Sequence, residues 1–130
     1  MTLVINQNPE DKEFDNFELG NFPIMTGPAV ILSGENLLKG TALAIYTGGS
    51  DEGKCVGLDG DLSDGGNVPY AILLEDVDAS AEDKNTIVAL SGQFNIDEVI
   101  LVDSTDDIAD FVAGFRDKNI YLKEIAKNRS

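Results

Sequence analysis

The chain has 130 residues, 42% of them hydrophobic, with 24 acidic and 9 basic side chains, one cysteine and no histidine. That length fits one domain with one core, and the apolar fraction is that of a folded protein. A net charge of −15 argues against contact with nucleic-acid phosphate or anionic membrane, because both require Lys and Arg.

The missing histidine removes the commonest general base and the usual transition-metal ligand. Cys55 alone permits neither an intrachain disulfide nor a thiolate zinc cluster. No apolar run approaches the roughly 20 residues that cross a bilayer. The start, MTLVINQNPEDKE, lacks a basic n-region and a long apolar h-region, so no secretory signal is expected. Charge is unevenly spread. Residues 1–115 carry 22 acids and 4 bases, whereas 116–130 carry Arg116, Lys118, Lys123, Lys127 and Arg129 against Asp117 and Glu124.

Residues 1–22 read as an arm. The segment NQNPEDKEFDNFELGNF is polar and acidic, is interrupted by Phe14, Phe17 and Phe22, and keeps neither helical nor strand periodicity. Its aromatics need burial against something, either a partner or the arm's own domain. From Pro23 the pattern predicts a body, 23–130. AVILSG (29–34) reads as a short strand closed by a turn, and Lys39–Thr47 as a strand. GGSDEGK (48–54) reads as a glycine-rich turn, with KCVGLD (54–59) returning as the second strand of a hairpin. DGDLSDGGN (59–67) is a loop by composition. Val68–Val77 is the strongest strand signal, followed by a turn at 80–85 and a strand at 86–95. Residues 96–102 fit either a strand or a helical turn.

One helix follows, with Ser104 or Thr105 as its cap. Ile108, Phe111, Val112 and Phe115 form its apolar stripe at i, i+3, i+4 and i+7. Asn119 suits a left-handed position after the helix, and IYLKEI (120–125) reads as the last strand. The fold class is α+β and β-rich: a small mixed sheet or barrel-like body with one helix in the C-terminal half and an extended N-terminal arm.

Three acidic or glycine-rich stretches invite a chemical reading. GGSDEGKC (48–55) approaches a phosphate-binding loop, but Cys55 takes the place of the Mg²⁺-reaching hydroxyl. No helix follows, and Asp51 and Glu52 lie inside the cradle, so a hairpin turn is the better reading. Asp59, Asp61 and Ser63 begin like a calcium loop, but Asp64 replaces the required glycine and Tyr70 the closing Glu. In VPYAILLEDVDASAEDK (68–84), Asp76 and Asp78 could form an acid–base pair. With no Trp or His in the chain, an exposed acidic turn after a core strand is the preferred reading. No catalytic, metal or cofactor residues are expected.

Several segments together carry a family resemblance: GENLLKGTALAIYT, KCVGLDG, VPYAILLEDVDASAEDKNTIVALSGQFN and, after a helix, NIYLKEI. Across about 34–125 the chain resembles the head decoration proteins of tailed bacteriophages, the lambda D-type family. It departs from the family's pattern at Asn119, where Gly is usual. The resemblance implies a non-enzymatic virion protein, made in the bacterial host cytoplasm and placed on the outer surface of the expanded capsid. It implies homotrimers at local three-fold positions that clamp the major capsid protein, without direct nucleic-acid or membrane contact. The arm then becomes the capsid-binding element. Leu3, Val4 and Ile5 are candidates to add a strand to a capsid sheet edge, and Phe14, Phe17 and Phe22 to fill pockets. Glu75, Asp76 and Asp78 against Arg116, Lys118 and Lys123 are candidate trimer contacts. Alternatives are a trimeric fibre or adaptor module and a small acidic ligand-binding domain.

Overall fold

The computed structural model describes residues 23–124. Among them are eight strands: β1 Met25–Ile31, β2 Glu35–Leu37, β3 Ala42–Ile45, β4 Cys55–Gly57, β5 Ala71–Leu73, β6 Val77–Ala79, β7 Lys84–Asn95 and β8 Ile120–Lys123. The order β1-β4-β3-β5-β7, with β1 also paired to β7, closes a five-stranded barrel. β8 adds in parallel to the far end of β7, from Gly92↔Ile120 to Asn95↔Lys123. β2 and β6 form a separate two-stranded sheet.

Strand alternation sorts the side chains into two clusters. One draws on all five barrel strands: Ile31, Leu43, Cys55, Ala71, Leu73 and Val88, with Leu37, Val77 and Ala79 from the β2–β6 pair. The other takes residues of opposite parity, Ala42, Ala44, Val56, Ile72 and Ala89, and packs them with Phe94, Phe115, Ile120 and Leu122. The first fills the barrel. The second joins the outer face of β4-β3-β5-β7 to the helix and β8. The register confirms the sorting, since Leu73 faces Val88 while Ile72 faces Ala89.

The β-rich class and the helix before a last strand match expectation, and several boundaries differ. Val68–Val77 is not one strand. β5 ends at Leu73, residues 74–76 turn away, and β6 pairs with β2 instead. The turn is held because the Asp76 carboxylate accepts the Lys39 N–H at 2.7 Å. The Lys39–Thr47 strand is shortened to β3, Ala42–Ile45. β2 precedes it, and the Thr41 N–H and hydroxyl both donate to the Leu38 carbonyl, bending the chain before β3. β1 begins at Met25, earlier than Ala29, because Gly27 and Pro28 hide its strand signal from a propensity reading. Residues 96–102 combine both readings. A 3-10 turn at Ile96–Glu98 gives way to extended chain that bridges Thr41 to Ile100.

The helix is shorter than the stripe suggests. A 3-10 turn at Ile108–Phe111 leads into α1, Val112–Arg116. Neither Ser104 nor Thr105 caps it. Asp107 instead caps the 3-10 turn, its carboxylate accepting the Ala109 N–H at 3.0 Å, and α1 continues from Phe111 with no side-chain cap. Thr105 is engaged by Asp103, and Asp106 reaches across to the Gly60 N–H. Asn119 does take the left-handed conformation, at φ 66°. Gly65 has no substitute: its φ is +100°, and a Cβ there would lie 2.5 Å from the Ile45 carbonyl oxygen.

Phe115 is fully buried between helix and barrel. Phe115→Ala should lower unfolding free energy by about 3–5 kcal/mol, read as a shift in urea midpoint at unchanged m-value. Val68→Ala, at an exposed side chain, should change it by no more than about 0.5 kcal/mol.

Candidate functional site

The turn that resembles a phosphate-binding loop is a hairpin end. The Tyr46 N–H donates to the Lys54 carbonyl at 3.0 Å, the Gly53 N–H donates to the Tyr46 carbonyl at 2.8 Å, and β4 follows directly. Its lysine serves another purpose, since Lys54 Nζ lies 2.8 Å from Asp83 Oδ2. The open depression beside it, about 420 Å³, is lined by Tyr46, Gly48, Gly49, Ser50 and acidic Asp51, Asp61 and Asp64. That sign of charge repels a phosphate.

Asp59 and Asp61 do meet a third carboxylate, Asp103, with one oxygen of each lying within 4.8 Å of the others. The grouping has a physical cost. Asp103 hydrogen-bonds to Asp61 and repels it, which pushes the Asp61 carboxyl above its ordinary pKa. Asp103 itself is held low by the Thr105 hydroxyl and N–H. As pH falls, Asp61 therefore takes up a proton before Asp103 does. Asp103 lies 42 residues beyond Asp61 in sequence, so no spacing motif could have announced the cluster. Ser63 is not part of it.

The acidic stretch after β5 is exposed at Glu75, Asp76 and Asp78, while Ala71, Ile72, Leu73, Val77 and Ala79 are buried. Each carboxylate is already used within the chain. Glu75 accepts the Thr86 hydroxyl at 2.7 Å, Asp76 the Lys39 N–H, and Asp78 the Ser80 N–H at 3.0 Å. Ser80 holds the Asp78 carboxyl below its usual pKa. Asp83 closes the same region by accepting the Ser33 N–H at 2.8 Å.

The cations lie on the other side of the topology. Arg116 ends α1, Lys118 follows it, and Lys123 ends β8. Arg116 and Lys123 share a groove between α1 and β8. Lys118 borders a separate apolar depression of about 180 Å³ with Ile45, Val68, Pro69 and Tyr70. Within the chain, then, Arg116 and Lys123 are brought together, and neither joins Glu75, Asp76 or Asp78. Leu3, Val4, Ile5, Phe14, Phe17 and Phe22 lie outside the described residues. Cys55 is buried in the barrel, and burial pushes its thiol up to about 11, which makes it inert.

These features define a small β-barrel protein that presents charged and apolar outer surfaces, with its polar groups organised loop by loop. The family of the bacteriophage lambda head decoration protein D matches residues 17–119, from within the arm through α1. The chain belongs to that family and is a phage head decoration protein, a structural component associated with the virion capsid. The family is one of structural capsid proteins and is not a known family of enzymes. No curated protein matches the chain.

Two carboxylates should respond to pH in opposite ways. Asp83, lowered chiefly by its Lys54 partner, contributes stability that is present above the unfolded pKa of about 3.9 and lost as pH falls through its lower folded value. Asp83→Asn should therefore lower the urea midpoint at pH 7, and the difference should vanish in acid. Asp61, raised by its neighbours, disfavours the folded state once ionised. Asp61→Asn should raise the midpoint at pH 7, with the gain fading as pH falls through the raised pKa. Urea titrations at several pH values check both signs.

Proposed function

We propose that this chain adds to the outside of an expanded phage capsid as trimers at local three-fold positions, where it clamps neighbouring copies of the major capsid protein and stabilises the shell. The observation that carries the proposal is the family match over residues 17–119, which spans the barrel from β1 to β7 and α1. A closed three-fold ring needs two different complementary patches on each subunit. Separate acidic and basic surfaces satisfy that need in principle. The acidic turn at Glu75, Asp76 and Asp78 is on one set of elements, and Arg116, Lys118 and Lys123 are on another. Strong net negative charge, −15, discourages free copies from sticking to one another or to packaged DNA until the capsid offers a fitted surface.

The arm is the grip. TLVINQ (2–7) has strand-forming composition and suits addition to an exposed capsid sheet edge. Phe14, Phe17 and Phe22 can bury against the shell. Three arms per trimer make the attachment multivalent, so a modest affinity at each arm becomes tight holding.

Co-sedimentation with purified expanded and unexpanded shells tests this, with light scattering on the free protein alongside. The full chain should pellet with expanded shells. A variant lacking residues 2–22 should keep its circular dichroism and cooperative unfolding but bind at least ~10²-fold more weakly, as loss of a multivalent tether predicts. Equal binding by the truncated chain, or none by the full chain, sinks the proposal.

A further inference from the structure

We propose that in the free protein residues 13–19 of the arm, EFDNFEL, seat in the groove between α1 and β8 of the same chain. The groove measures about 150 Å³ and is lined by Val112, Arg116, Ile120, Tyr121, Leu122 and Lys123. Ile120 and Leu122 give it an apolar floor continuous with the outer cluster. Arg116 and Lys123 stand exposed at its sides, and among the described residues neither has an ion-pair partner. In a chain so rich in acid, two neighbouring unpaired cations beside an apolar floor select an occupant that is both acidic and aromatic.

The arm supplies that chemistry. Glu13, Asp15 and Glu18 alternate with Phe14, Phe17 and Leu19 over seven residues. Its point of entry also favours this groove. The Pro23 carbonyl accepts the Ser91 hydroxyl at 3.3 Å. Ile24 packs on Gly92, where a Cβ would lie 2.9 Å from Ile24 Cγ1. Gly92 is the residue of β7 that pairs with Ile120, the start of β8. The arm thus joins the barrel beside the groove. From Pro23 back to Phe17 or Phe14 the chain can span about 20–30 Å, against about 13 Å for the whole of β8. A tether that short keeps the local concentration of the segment high, so weak contacts suffice to seat it. Seated this way, the segment covers its own aromatics in the free protein and leaves 2–7 outside. It would leave the groove when a stronger surface competes. The proposal concerns the free chain and stands or falls without any shell.

Paramagnetic broadening on the full chain decides it. A nitroxide is placed through Asn16→Cys, with the native Cys55 buried out of reach. Amide signals of Val112 and of Ile120–Lys123 should lose intensity, while those of β2 and β6 should not. Reversing the groove charge with Arg116→Glu and Lys123→Glu together should restore the intensity, with circular dichroism and cooperative unfolding retained because both side chains are exposed. Three outcomes overturn the proposal. Broadening could fall elsewhere or nowhere, or it could persist undiminished after charge reversal. It could also appear only when spin label and isotope are on different copies, which would assign the segment to a second copy.

Discussion

Pairing along β7 is the constraint on which the molecule depends. This one strand of twelve residues carries β1 along most of its length, β5 at Val88 and Ala89, and β8 over its last four residues. It closes the barrel and also holds the added strand. Its alternation sends Val88 into the barrel and Ala89 out toward the helix side. A slip of one residue would exchange those two sets at once and would break both clusters. A register shift between Met25 and Thr26, with Leu90 packing over Gly27, absorbs the bend where β1 begins. Further along β7, Phe94 belongs to the second cluster, as does Phe115.

The acidic composition has a structural role that counting ion pairs does not reveal. The described residues contain few cations, so most carboxylates cannot find a Lys or Arg. They find backbone N–H groups instead. Glu35 takes the Gly57 N–H at 3.1 Å, Asp106 that of Gly60, Asp83 that of Ser33 and Asp76 that of Lys39. All four are long-range and fasten loop ends that would otherwise leave donors unpaired. Others act within a turn, as Asp78, Asp103 and Asp107 do on the residue two positions on. Charge-assisted bonds of this kind are stronger than neutral ones. The acidic turn after β5 is thus part of the framework as well as part of the exposed surface.

Much of this was legible from pattern. The hairpin at 48–54, the loop at 59–67, the helix stripe ending in Phe115 and the left-handed Asn119 all rest on local chemistry, and local chemistry is what a sequence displays. The errors have two causes, a bond between residues distant in sequence and a rival local partner. Val68–Val77 looks continuous because its residues favour strands, but a tertiary bond from the Lys39 N–H to Asp76 turns the chain before it can continue. Thr105 looks like a cap, but Asp103 holds it and leaves the role to Asp107. The Asp59–Asp61–Asp103 cluster and the Lys54–Asp83 pair also join residues distant in sequence, and single-sequence periodicity carries no information about such pairs. The groove between α1 and β8 was invisible for the same reason: its apolar residues read as core, and its cations as a solvated helix end.

The barrel fixes the point at which the chain enters it. Here the last residues before β1 are fastened at several points. Ser91 Oγ accepts the Met25 N–H at 3.2 Å and donates to the Pro23 carbonyl, while Ile24 fills the space that a side chain at Gly92 would need. Gly92 itself has φ +145°, a conformation that glycine adopts without strain. The site where the arm departs is therefore set by the strand that also closes the barrel and carries β8. Loosening β7 would free Pro23 and Ile24 as well as the core, so the barrel and the point where the chain enters it form one mechanical unit.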